Sequence, residues 1–211
     1  MSTKEQSNMA AGTRFYLVGN HLAVDFANTA VAADGSGDAL RSWADVVDFL
    51  VASRQLSPGR AEAITGLAET EPAVTGRAFQ AAVELRDAVR RAVEALAERR
   101  AVELAWVEPI NRALEITEGH DALVPTGNGW RLGFVPREQR LEWLLAALAR
   151  SAAELVEERP AAPLRKCAGS RCVLCFYDTS RTRRRRWCSM AVCGNRSKVA
   201  AFAGRHRRGR R

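Results

Sequence analysis

All five cysteines of this chain lie between Cys167 and Cys193, and four form two pairs, Cys167-x4-Cys172 and Cys188-x4-Cys193. Fifteen residues part the pairs, five of them arginines. Two Cys pairs a loop apart can supply four thiolates around one tetrahedral Zn²⁺. A segment this short, with few large apolar residues, cannot build a core of its own. A single structural zinc is therefore expected to fold it, contributing on the order of 10–16 kcal/mol. The odd cysteine count fits four ligands and a spare better than a disulfide framework. Cys172-x2-Cys175 is also a ligand-like pair, so the spacing leaves open a set in which Cys175 replaces Cys167. The N-terminus, MSTKEQSNMAAG, is polar and lacks the apolar stretch of a secretory signal. A cytoplasmic chain with reduced thiols is the expectation, which favours metal over disulfides.

Charge divides the chain at the same place. Residues 1–160 carry a net charge of −6, residues 161–211 one of +14 with Asp178 the only acid. An acidic body joined to a basic tail points to a polyanionic partner. At 211 residues the natural division is one ordinary domain over 1–160 and a small module over 161–211. No run of 18 apolar residues occurs, so no membrane-spanning helix is expected.

The body has mostly helical periodicity. Phe15 to Val18 suggests a strand, and Leu22 to Asn28 suits a strand or a helix start. Ser42-x-x-Asp45 predicts a capped helix start, with Trp43, Val46, Val47, Leu50 and Val51 on one face. Ser57-Pro58 opens another helix. A long helix is expected from about residue 76 to 99, and a further one through Leu104, Ile110 and Leu114, bent or begun near Pro109. Asn128-Gly129 between two short apolar runs predicts a β-hairpin within Leu123 to Val135. Leu141, Leu144, Leu145, Leu148, Leu155 and Val156 form the stripe of a last helix, begun near Pro136, and Pro160 and Pro163 make a linker. The expected class is α+β, predominantly α, with a C-terminal treble-clef-like zinc finger.

Within the basic module, Phe176-Tyr177 is expected to pair with the run ending at Trp187. Asp178-Thr179-Ser180 starts the turn, and Arg181, Arg183, Arg184, Arg185 and Arg186 sit at the tip. Ser189 is a suitable N-cap for a helix over about 189–204, with Cys193 in its first turns. Arg196 and Lys198 lie on that helix, and Arg205, Arg207 and Arg208 belong to an arm too charged to fold alone. Asn195 and Arg196 suit base edges of DNA, although Asn195 suits bonding to the neighbouring backbone equally well.

Trp187-Cys188-Ser189-Met190 followed by Cys193-Gly194-Asn195-Arg196-x-Lys198 resembles the CGNR-type zinc finger. Leu22-Ala23-Val24-Asp25-Phe26-Ala27-Asn28-Thr29 resembles the ABATE domain that accompanies such fingers. The resemblance implies a stress-induced transcriptional regulator of bacteria, with a C-terminal DNA-binding finger and an N-terminal domain that senses a ligand. It makes Cys175 the spare, where the usual pattern has an apolar residue.

His21, Asp25 and Asn28 suit either a polar network tying a loop to the body or a small-molecule pocket. No catalytic set is spaced informatively, so an enzyme is not expected. The reading is a zinc-finger, DNA-binding regulator that sits on the nucleoid when bound. A homodimer is compatible with a single finger and one arm. The alternatives are an RNA-binding zinc module and a small-molecule enzyme that uses the finger for docking.

Overall fold

The computed structural model describes residues 14–116, 119–127, 129–136, 141–158 and 163–208, with backbone only at 67–69, 119–121, 133, 134, 136 and 204–208. Asn128 and Pro160 lie outside the described residues.

Leu22–Asn28 is a helix, α1, so the strand alternative falls. Its Ala23, Val24, Phe26 and Ala27 are buried. α2 spans Trp43–Ala52. The Ser42 hydroxyl accepts from the Asp45 amide at 3.3 Å, and the Asp45 carboxylate in turn accepts from the Arg41 amide at 2.7 Å and pairs with Arg14. The Ser42 cap is the half of the capping box that the Ser-x-x-Asp spacing predicts, and the return bond goes one residue further back, to Arg41. α3, Pro58–Thr70, starts on its proline, whose missing N–H costs nothing there.

α4, Pro72–Ala97, is the spine. Ala78, Ala82, Leu85, Val89, Val93 and Leu96 recur every three or four residues and are buried. α1, α2, α3 and α5 (Leu104–Glu115) pack on it. In α5, Ile110 is buried, but Leu104 is exposed and anchors nothing. A 3-10 turn at Leu141–Leu145 leads into α6, Ala146–Glu157, so the leucine stripe starts with a tighter turn than the α-helix expected. Leu141, Leu144, Leu145, Leu148 and Leu155 all face the core. Each contributes about 1.5–3 kcal/mol by leaving water.

The predicted hairpin forms as β1, Gly119–Thr126, and β2, Gly129–Pro136, antiparallel with Leu123 opposite Leu132. Gly129 sits at φ +140°, a conformation that only glycine adopts readily.

Two expectations about strands are overturned. Phe15 to Val18 is irregular chain. Phe15 enters the body core while Val18 enters a second, smaller cluster with Cys167, Leu174, Phe176, Cys188 and Cys193. The segment serves two cores and has no continuous partner for a ladder. In the basic module, β4, Cys175–Tyr177, pairs with β3, Leu164–Lys166, and not with the run ending at Trp187. Residues just after the expected linker thus supply a strand, because Leu164 is apolar and finds a place in the body core with Cys175. The C-terminal helix also differs. A π-helical turn covers Met190–Gly194, and α7 runs Asn195–Arg208, through the first residues of the expected arm.

Candidate metal centre and nucleic-acid interface

One sulfur from each of Cys167, Cys172, Cys188 and Cys193 lies within 4.8 Å of the others. The Cys172–Cys188 and Cys188–Cys193 sulfurs are 3.7 and 3.8 Å apart. A tetrahedron with Zn–S bonds of about 2.3 Å has edges of about 3.8 Å. The four-cysteine cluster therefore fits one structural zinc ion. Zinc would supply the positive charge that lets all four thiols ionise together. The protein alone cannot do this. Cys167 is favoured as thiolate, first by hydrogen bonds from the Cys172 and Cys188 thiols and also by the Cys188 amide at 3.3 Å. Cys188 is pushed up in consequence, and Cys193 is pushed up by burial and by the charge at Cys167.

Local sequence explains the approach of these sulfurs. Cys167 and Cys172 flank a tight knuckle in which the Cys172 amide donates to the Gly169 carbonyl at 3.0 Å. A Cβ on Gly169 would lie 3.2 Å from Cys172 Cβ and 3.3 Å from Cys193 Sγ, so the knuckle needs glycine's bareness. Ser189 caps the second half as predicted, accepting from the Val192 amide at 3.3 Å. Gly194 is where the helix meets Met190: a Cβ there would sit 2.5 Å from the Met190 sulfur.

Cys175 is not in the cluster. Its side chain is buried against the body, and burial pushes its thiol up to about 12. A thiol held neutral is a poor nucleophile and a poor metal ligand.

The arginine run is an irregular loop whose shape is set by Asp178. That carboxylate is fully buried, accepts from the Ser180 hydroxyl at 2.6 Å, the Ser180 amide at 3.1 Å and the Arg185 amide at 2.9 Å, and faces Arg165 at 3.7 Å. Burial opposes its charge, but these donors outweigh burial and hold its acidity below the ordinary aspartate value. Asp178 was expected only to start a turn. Its isolation among fifteen cations was the signal that it is structural.

Arg181, Arg183, Arg184 and Arg186 are exposed, and Arg186 lies over the Trp187 ring at 4.9 Å. Arg185 turns inward. Its guanidinium donates to the Trp187 carbonyl at 2.9 Å and to the Cys188 carbonyl, and stacks 4.7 Å above Phe176. The loop and α7 are joined by the Trp187 indole N–H, which donates to Ser197 Oγ at 3.1 Å. Asn195, Arg196 and Lys198 are exposed at the start of α7, with the Asn195 amide donating to the Ala191 carbonyl at 3.1 Å. Arg205, Arg207 and Arg208 lie on the helical backbone of α7, and their side chains are outside the described residues.

His21, Asp25 and Asn28 are each engaged within the fold. His21 stacks on Tyr177 at 5.5 Å. Asp25 accepts from the Gly19 amide at 2.7 Å, and desolvation raises its carboxyl to about 7. The Asn28 side chain exchanges two hydrogen bonds with the Cys175 backbone, donating at 3.0 Å and accepting at 3.1 Å. With the Tyr177 amide bound to the Gly19 carbonyl at 2.7 Å and Tyr177 Oη donating to Glu158 at 2.8 Å, these residues form a seam between body and finger. Lys166 and Glu98 add an ion pair across it. Sequence reasoning missed the finger's half of this seam, because the three residues of β3 are too few to show an alternation.

Among the described residues no helix is long and apolar enough to cross a membrane. A search of curated proteins finds no match. Family models do match: ABATE, described as a putative stress-induced transcription regulator, over residues 20–159, and the CGNR zinc finger over residues 164–206. The chain therefore belongs to the ABATE regulator family and ends in a CGNR zinc finger.

Proposed function

We propose that the chain binds duplex DNA through the exposed arginine loop and the start of α7, and regulates transcription by doing so. The observation that carries this reading is the rigid coupling of those two elements. The thiol cluster joins the knuckle to the start of α7, Asp178 shapes the loop, and Trp187 ties the loop to Ser197. With the backbone that carries the cations held in place, the ordering cost of meeting phosphates falls on the exposed side chains alone. Arg181, Arg183, Arg184, Arg186, Arg196 and Lys198 are the proposed contacts, and Arg185 is assigned to the fold. The ligand-pocket reading of His21, Asp25 and Asn28 gains no support, since each is already bonded to the protein.

The test is anisotropy of a labelled duplex against salt, with zinc and after chelation. Six phosphate contacts give a slope of about −5 in log K against log salt, and Arg184→Ser with Arg186→Ser brings it nearer −4. Chelation is expected to abolish that binding mode. Structured RNA that displaces the duplex at equal concentration would favour the RNA-binding alternative and defeat the proposal.

A further inference from the structure

The β1–β2 ribbon carries its apolar side chains on the outside. Side chains alternate along each strand, so Leu123 and Pro125 share a face with their register partners Leu132 and Trp130. That face is open: Leu123 is 64 % exposed, Leu132 65 % and Trp130 70 %. Ala122, Val124 and Val135, on the other face, are half-buried. Among the described residues no ribbon side chain joins either buried cluster. A two-stranded ribbon left alone in water is marginal at best, and a face of this kind needs a partner.

We infer that the partner is a second copy of this chain, packed ribbon face to ribbon face about a two-fold axis near the Leu123–Leu132 pair. Three observations select that occupant. Arg131 lies on the opposite face, and the one charged residue whose register position falls on the apolar side is Asp121, an anion at its end. A face without cations does not suit nucleic acid or an anionic membrane. Pro125 removes an N–H from β1 and so disfavours strand addition at that edge, whereas a two-fold stacking of faces uses neither edge. The face is also self-complementary, since the two-fold sets the Trp130 ring of one copy against Leu123 and Pro125 of the other. A tryptophan covers roughly 150–250 Å². With two leucines and a proline the area reaches roughly half of the ~800 Å² per partner of a standard interface. The expected dimer is therefore weak and concentration-dependent. This inference does not depend on DNA binding.

Sedimentation equilibrium of the full, zinc-loaded chain without nucleic acid tests it. The average mass is expected to rise from 23.1 kDa toward twice that value over roughly 1–200 µM, since even interfaces of standard size extend into the micromolar range. Leu132→Asp and Trp130→Asp, both at exposed positions, are expected to weaken association at least tenfold with zinc content and helical signal unchanged. Arg131→Asp, on the opposite face, is expected to change neither. A mass that stays at that of one chain throughout overturns the inference. So does association that survives both aspartate variants, or that Arg131→Asp disrupts equally.

Discussion

The helical body buries Phe26, Phe49, Leu50, Leu85, Ile110, Leu145, Leu148 and Leu155 almost completely. The finger's own cluster has Phe176, Leu174, the partly buried Trp187 and Val192, and the thiols, with Val18 and Tyr16 lent by the body. One region is held by area removed from water, the other by a cation, a buried carboxylate and borrowed side chains. The loan runs both ways, since Leu164 and Cys175 from the finger sit in the body core. Metal dependence should thus be confined to one side of the seam, while strain in the seam should be felt on both.

The largest expected effect is loss of zinc. Chelation removes on the order of 10–16 kcal/mol from the finger, and Cys188→Ser, which leaves three of the four thiols, removes part of it. The Trp187 indole resonance, fixed by Ser197, is expected to collapse toward its random-coil position. Most of the helical signal should remain, because α1–α6 pack without the metal. Cooperative loss of the whole far-ultraviolet signal on chelation would show that the seam, and not the body's own core, holds the helices together.

A second effect enters from the body side. Asp25 grips the Gly19 amide and so positions Val18 in the finger cluster. Its carboxyl titrates near 7 in the fold, raised chiefly by desolvation, and near 3.8 when unfolded. Between these values the folded chain keeps a proton that the unfolded chain has lost. Stability from this group is therefore full below about pH 4 and falls by about 3–4 kcal/mol as pH rises to 7. Asp25→Asn keeps an acceptor for Gly19 and removes the titration. Wild type minus variant, measured by urea unfolding of zinc-loaded protein, is expected to become less favourable to wild type from pH 5 to pH 8. A difference that is flat with pH would mean that Asp25 is already ionised in the fold.

The parts legible in sequence were those set by short spacing. The two Cys-x4-Cys pairs, the Ser42 cap and the helix start at Pro58 each depend on neighbours within a few residues. The parts that were not legible depend on distant partners. Leu164 follows two prolines, and nothing near it in sequence marks a strand until the body core accepts it. Phe176 was expected to pair with the run ending at Trp187, and the donors around Asp178 keep that run from becoming the second strand. Arg185 is indistinguishable in sequence from the arginines beside it. Only the position of Phe176 and the Cys188 carbonyl turns it inward.

Asn28 gives the smallest and most local test of the seam. It sits on α1 and closes two hydrogen bonds on the Cys175 backbone, as another strand would. Asn28→Ala leaves a buried N–H and a buried C=O of β4 short of those partners, a cost of about 2–3 kcal/mol. Both halves should register it: the body through a lower unfolding midpoint, the finger through faster zinc loss to a competing chelator and faster exchange of the Cys175 amide. Asn28→Gln, one methylene longer, cannot hold both bonds at 3 Å and is expected to rescue little. If Asn28→Ala lowers the midpoint but leaves zinc release unchanged, the finger is held by its metal alone and the body merely leans on it. If both change, the thiol cluster and the helical core are one mechanical unit, and a perturbation at α1 has a physical route to the arginine loop.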